Sequence, residues 1–262
     1  MSKQHSYWIE TNHHDLSNSV SNQIKKLLTK SKWVANKTNH DYLIIIGGDG
    51  TYVRFLRKYY EKRTKIVCIN TGTVGFYSKF IGKNIKSFIP TITDDNNFTH
   101  PQLLEININD KFIFNAMNEV VIQSLNTVKM DVFINGSLYE NYMGSGVLVT
   151  TRTGSTGQAK SNGGAIIFPN VDAFEFVELS PTNHTKHHSF NAPAILCSSA
   201  KIELNNFKSS QRCDLIIDGM RVRHINSEDK ITITKQDAPF SLCFSGEVKS
   251  YISKLQQTFI KG

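Results

Sequence analysis

A chain of 262 residues with 39% apolar content is long enough to bury one large core or two modest ones, which excludes a disordered polypeptide. No apolar run approaches the ~20 residues that span a bilayer, and the opening MSKQHSYWIETNHHDL lacks the apolar middle of a secretion signal, so a cytoplasmic protein with no membrane partner is expected. The net charge of +8 attracts polyanions in general, so nucleotides, nucleic acid and polyphosphates all stay open, but the basic residues are scattered rather than gathered into an arm, so most read as a solvated surface and no nucleic-acid partner is assigned.

In chain order, residues 7–9 read as an opening strand. Residues 15–30 set Val20, Ile24, Leu27 and Leu28 on one helical face, with Asp and Ser available as caps. Residues 42–46 are a short continuous apolar run, as expected of a parallel strand covered on both faces. The loop GGDGT follows, then Val53, Leu56 and Tyr60 at helical spacing, then a strand over residues 65–69. Strand, glycine turn, helix and strand make a βαβ unit, and ligands of such sheets bind beyond the carboxyl ends of the strands.

The texture changes between Pro90 and Pro101, where the chain is polar and rich in turn residues. Beyond it Leu104, Ile106 and Ile108 alternate up to a turn at Asn109-Asp110, and Asn135-Gly136 is a two-residue hairpin signal. GVLVTT, KIELN, CDLIIDGMRV, KITIT and SLCF are further short strands. Val248, Ile252, Leu255 and Phe259 then share a helical face. The expected fold is an α/β domain of Rossmann-like units over residues 1–97 and a β-rich domain over 98–246. A terminal helix over 247–262 packs back.

Four cysteines, Cys68, Cys197, Cys213 and Cys243, lie far apart without a C-x-x-C pair, so buried thiols are expected rather than disulfides or zinc. His184, His187 and His188 crowd one segment, yet no acid or cysteine completes a ligand set, and no metal ligand is assigned. The lysine-bearing phosphate loop, the G-x-G-x-x-G fingerprint and the G-x-S-x-G elbow are all absent.

GGDGT therefore carries the question of chemistry. Its glycines bring backbone N–H groups onto a phosphate, helped by the positive end of a helix beginning near Thr51. An aspartate repels phosphate, so Asp49 would accept a proton from an attacking hydroxyl or hold Mg²⁺, both of which belong to phosphoryl transfer. A plain turn in which Asp49 caps the helix is equally compatible with these five residues. MGSGVLVTTRTGSTGQAKSNGGAIIFP adds glycines with Ser155, Thr156, Ser161 and Asn162, a surface suited to a purine edge and a ribose. Asn118-Glu119 pairs an amide with a carboxylate, which can grip two vicinal hydroxyls or simply end a strand in solvent.

Taken in order, LIIIGGDGT, NTGTVGFY, NEVVI, TGSTGQAKSNGG and IDGM resemble the NAD kinase family. The resemblance implies an α/β domain and a β-rich domain with the site in the cleft between them. It also implies transfer of phosphate from ATP, or from polyphosphate, to the adenosine ribose 2′-hydroxyl of NAD, with Mg²⁺ or another divalent ion. Asp49 matches the general base, and Gly47, Gly48, Gly50 and Thr51 match the phosphate loop. Phe76, Asn118, Glu119, Ser145, Thr156, Gly157 and Ser161 match NAD-binding positions, and homodimers or homotetramers are implied. Four positions depart from the family pattern: Ser145 for aspartate, Arg152 for proline, Gly157 for alanine and Gln158 for tyrosine. GGDGT alone is shared with lipid and sphingoid kinases, and a non-catalytic NAD-binding relative is the third reading.

Overall fold

In the computed structural model, which describes residues 4–59, 63–73, 75–82, 85, 87–184, 187–244 and 247–260, the chain opens with β1 (Ser6–Thr11) and α1 (Asp15–Lys30). Val20, Ile24 and Leu28 of α1 are buried at a spacing of four, each contributing about 2 kcal/mol of apolar burial. No side chain caps this helix: the cap position is His14, and Asp15 instead sits in the first turn, where it favours the helix dipole. After β2 (Val34–Ala35) come β3 (Tyr42–Gly47), α2 (Asp49–Leu56) and β4 (Lys65–Asn70). All six residues of β3 are buried, as parallel pairing with β1 on one side and β4 on the other requires. Tyr60, which the helical spacing reached, lies outside the described residues. Short elements follow: β5 (Phe80–Ile81), α3 (Phe88–Thr93) and β6 (Phe98–Thr99).

The chain divides into two compact units, Met1–Pro101 with Ala238–Gly262, and Gln102–Asp237. The second unit is built from antiparallel pairs: β7 (Gln102–Ile108), β8 (Lys111–Ala116), β9 (Glu119–Ile134) and β10 (Ser137–Thr151) form consecutive hairpin arms. Asn109, Asp110, Asn135 and Gly136 all have positive φ, so both turns have the backbone hand that matches strand twist. A helical turn, α4 (Gln158–Ser161), precedes β11 (Ala173–Leu179) and β12 (Ala194–Cys197). Then come β13 (Lys201–Ser209), β14 (Cys213–Ile217), β15 (Met220–Ile225) and β16 (Ile231–Asp237). The long β9 is the hub, pairing β10 along one edge and β14 and then β13 along the other. Val120, Ile122, Val149, Phe174, Ile202 and Leu215 form part of the core beneath it.

Two late segments return to the first unit. SLCF, read from the sequence as a strand of the β-rich domain, forms β17 (Ser241–Cys243), which pairs parallel with β4 and antiparallel with β6. The last helix, α5 (Val248–Phe259), does not bury the face its apolar spacing marks. Val248, Ile252 and Phe259 are 40%, 39% and 41% exposed, whereas Tyr251 is buried at 7%. Tyr251, Lys254, Leu255 and Thr258 make up the inward face, so of the expected row only Leu255 turns inward, beside an aromatic ring and a lysine. Among the cysteines Cys68, Cys213 and Cys243 are buried, but Cys197 is exposed at the end of β12. Among the described residues no helix is long and apolar enough to cross a membrane.

The β-rich unit also holds an acid whose ionisation opposes folding. Glu140, on β10, is buried, and desolvation reinforced by the charge of Glu178 pushes it up to about 7 from 4.5. A carboxyl raised in the native state binds its proton more tightly there than in the unfolded chain, so stability falls as pH rises between those two values. Glu140→Gln is expected to raise the unfolding free energy by about 1–2 kcal/mol near pH 8, after discounting the shift for solvent screening. Near pH 4 the gain vanishes, and urea denaturation at the two pH values checks both results.

Candidate active site

The turn from β3 into α2 begins at Gly47, where a side chain does not fit: an added Cβ would lie 2.6 Å from Thr51 Oγ1. The fully buried Tyr52 donates its hydroxyl to Gly47 O at 2.7 Å, locking the loop from beneath. Gly48 is the helix cap, and Gly48 O accepts from Thr51 N–H at 2.9 Å and Tyr52 N–H at 3.2 Å. A Cβ added at Gly48 or at Gly50 would meet nothing within 4 Å. These two glycines therefore border open space rather than fill a packing requirement, as expected where a ligand approaches the backbone. No side chain caps α2, so the amides of its first turn are left to such a ligand.

Asp49 is the first residue of α2, two positions before the expected start. Its carboxylate does not cap the helix. Oδ2 accepts from Phe76 N–H at 2.9 Å and Oδ1 from Tyr77 N–H at 3.4 Å. Burial raises its pKa above the ordinary aspartate value, opposed by those two amides and by the positive charge of Lys254. Lys254, from α5, donates to Ser78 O at 2.7 Å and Phe76 O at 3.4 Å, and burial pulls its own pKa below the usual lysine value. The half-buried ring of Phe76 lies 5.9 Å from Tyr251 and 6.4 Å from Phe259, centroid to centroid. Asn70, at the end of β4, folds its side chain onto Gly72, accepting from its N–H at 3.0 Å. Val74, within the same motif, lies outside the described residues.

In the second unit the Asn118-Glu119 pair is held from two directions. Asp218 accepts three backbone N–H groups, from Met117 at 3.0 Å, Asn118 at 2.7 Å and Glu119 at 3.2 Å. From the other side Thr151 Oγ1 donates to Met117 O at 2.7 Å, and Thr150 Oγ1 donates to Asn118 O at 3.0 Å. Gly154 packs so closely on this backbone that an added Cβ would lie 2.4 Å from Asn118 O. The threonines and glycine of TTRTGST thus act first as a clamp on Asn118 and Glu119. Thr156 ends the short turn Gly154–Thr156, and a Cβ at Gly157 would lie 3.8 Å from Glu119 Oε2, so this loop borders the pair.

The remaining predicted residues spread further. Ser161 is exposed at the end of α4, and Gly157 and Gln158 are exposed beside it. Ser155 is fully buried, donating to Arg152 O at 2.8 Å and accepting from Ile167 N–H at 3.0 Å, which is a loop-bracing task. Ser145 is exposed at an irregularity of β10, five residues before the Thr150 that faces Glu119, or roughly 16 Å along a strand. It does not join Asn118 and Glu119 within this unit.

One contributor escaped the sequence reading, and the task of another, in the IDGM motif, went unread. Lys254 sits in a polar-looking helix where a lysine normally marks the solvent side. Asp218 reads as a turn residue, and it does form the β14–β15 turn with positive φ, but its side chain also holds the Asn118 segment. The signal available was the aspartate itself, one of the few residues that accepts both a left-handed backbone and several N–H donors.

Among the described residues no group of three or more His, Cys, Asp or Glu could hold a metal ion. The nearest acid to the phosphate loop, Asp49, already spends both oxygens on amides. These residues do not make a resident metal centre, and they fit a divalent ion only as one that arrives on phosphate oxygens, the usual habit of Mg²⁺.

Residues 5–97 match the ATP-NAD kinase N-terminal domain and residues 117–243 the ATP-NAD kinase C-terminal domain. The NAD kinase of Ureaplasma parvum is 36% identical over 238 residues, covering 90% of this chain and 87% of that protein. The NAD kinase of Mycoplasmoides gallisepticum is 36% identical over 249 residues, covering 93% and 90%. Among solved structures, yeast NADH kinase complexed with NADH has a TM-score of 0.83 at 19% identity, covering 99% of this chain and 89% of that one. An NAD kinase from Archaeoglobus fulgidus in complex with ATP has a TM-score of 0.78 at 20% identity, covering 96% and 99%. The two structural likenesses establish a shared fold, while the domain matches and the close relatives set the lipid kinases that share GGDGT aside. This chain belongs to the NAD kinase family.

Proposed function

We propose that this chain phosphorylates NAD through the following division of labour. The 2′-hydroxyl of the adenosine ribose attacks the terminal phosphorus of ATP, with polyphosphate as the alternative donor. The new bond joins O2′ to phosphorus, the bond from phosphorus to the bridging oxygen breaks, ADP leaves, and Asp49 takes the hydroxyl proton. Gly47, Gly48, Gly50 and Thr51 turn backbone amides toward the phosphates. Asn118 and Glu119 fix the two ribose hydroxyls, Phe76 covers the adenosine, and Thr156, Gly157 and Ser161 line the adenine. Mg²⁺, when bound with the triphosphate, neutralises phosphate charge. Ser145 serves the pocket of a neighbouring copy in a homodimer or homotetramer, a reading supported by its distance along β10 from Glu119. A cytoplasmic location belongs to the same proposal, since both substrates are soluble nucleotides.

The observation that carries this reading is Asp49: a largely desolvated carboxylate, pinned by two amides, at the mouth of a glycine turn with open space above Gly48 and Gly50. Its in-line placement matters more for rate than its basicity. The test is a coupled assay in which purified chain receives NAD, ATP and Mg²⁺, and NADP is detected with an NADP-specific dehydrogenase. The assay is repeated with polyphosphate as donor. NADP formation with at least one donor is expected. Failure with both, while NAD still raises the melting temperature, would point to a binding protein without kinase activity.

A further inference from the structure

A peptide unit is planar and trans, so its C=O and N–H point to opposite sides. The unit joining Phe76 to Tyr77 has its N–H on Asp49 at 3.4 Å and its C=O on Lys254 Nζ at 3.4 Å. Lys254 is tied more tightly two residues on, to Ser78 O at 2.7 Å, and Asp49 one residue back, to Phe76 N–H at 2.9 Å. The order is ammonium, carbonyl, amide, carboxylate. Charges at both ends polarise the intervening hydrogen bonds in the same sense, so each strengthens the other.

We propose that Lys254 is a positioning residue for phosphoryl transfer, holding the Phe76–Ser78 carbonyls so that the amides of Phe76 and Tyr77 keep Asp49 aimed as the base. This rests on the assignment of Asp49 above. Withdrawing an ammonium from water is costly, and a half-buried lysine spent on two carbonyls has its return in what those carbonyls position. The Lys254 charge also opposes the desolvation that lifts Asp49, and Asp49 in turn lifts Lys254. Among the described residues the other titratable groups coupled to Asp49 are Tyr52 of α2 and Cys68 of β4. Burial pushes both upward, so they stay neutral, and Lys254 supplies the compensating charge.

The test compares Lys254→Met and Lys254→Arg with the full wild-type chain, measuring NADP formation against pH. Lys254→Met is expected to lose 10- to 100-fold in kcat, order of magnitude, with the KM for NAD changed less than about twofold. Its acid limb moves to higher pH, and Lys254→Arg restores the limb toward the wild-type position. Wild-type kcat with an unmoved limb overturns the proposal, as does a parallel loss of kcat and NAD binding with no movement of the limb. Should Lys254→Met fail to fold, an NMR titration of ¹³Cε-labelled Lys254 in wild type and Asp49→Asn takes its place. Linkage is mutual, so the lysine midpoint falls in Asp49→Asn, and an unchanged midpoint overturns the proposal. The two assignments fail separately. An Asp49→Asn chain that still makes NADP removes the base, whereas an inactive Asp49→Asn beside an unimpaired Lys254→Met removes only the role of Lys254.

Discussion

Asp49→Asn is expected to fold, to bind NAD, and to form NADP at least about 10²–10⁴-fold more slowly than wild type. The amide keeps one oxygen to accept from Phe76 or Tyr77, so the loop retains an anchor, but it has no basic lone pair for the proton of the hydroxyl. Stability separates this from misfolding. Burial raises the Asp49 pKa in the native state, so above both the folded and unfolded values the ionised form opposes folding. Removing the charge should leave the melting temperature near pH 8 no lower than in wild type. The same raised pKa has a kinetic signature: a base works only when ionised, so wild-type kcat/KM falls as pH drops through a midpoint above the ordinary aspartate range, and the Asn variant lacks that limb. Wild-type turnover in Asp49→Asn would end the assignment.

Asp218→Ala is expected to raise the KM for NAD about tenfold or more and to destabilise the β-rich unit by about 3 kcal/mol. Three N–H groups, of Met117, Asn118 and Glu119, lose one acceptor together, and Met117 is fully buried. The replacement must also hold φ of +46°, which alanine does less readily than aspartate. The strand end carrying Asn118 and Glu119 then loses one jaw of its clamp while Thr150 and Thr151 keep the other. Because Asp49 lies in the other unit, kcat at saturating NAD should fall less than kcat/KM. Steady-state kinetics and urea denaturation read the two effects separately. A variant with reduced stability but an unchanged KM would leave Asp218 as a turn residue and nothing more.

Much of this was legible because the local chemistry was unambiguous. The apolar run from Tyr42 marks a buried strand and Asn135-Gly136 a tight hairpin, while a glycine pair before an acid marks a sharp turn without saying whether a ligand approaches it. The illegible parts depend on contacts between residues distant in sequence. Alternation in SLCF marks a strand but not its sheet, and parallel pairing with β4 spans some 175 positions of chain. The apolar row of Val248, Ile252, Leu255 and Phe259 predicted one inward face for α5, yet only Leu255 of that row turns inward, and the mark of the true face was the polar Lys254, whose worth comes from carbonyls at Phe76 and Ser78. Ser155 illustrates the converse, a hydroxyl in a ligand-like motif that is consumed in bracing its own loop.

The α/β unit is discontinuous, with the whole β-rich unit spliced between β6 and β17. A ribosome releases residues in order, so the inserted unit is fully synthesised while the sheet of the α/β unit still lacks β17 and Asp49 still lacks the ammonium behind it. The surroundings of Asp49 are thus completed only after the β-rich unit has been made. A premature stop shortly before Ala238 would yield every strand of the β-rich unit and leave Asp49 without Lys254 and its sheet without β17.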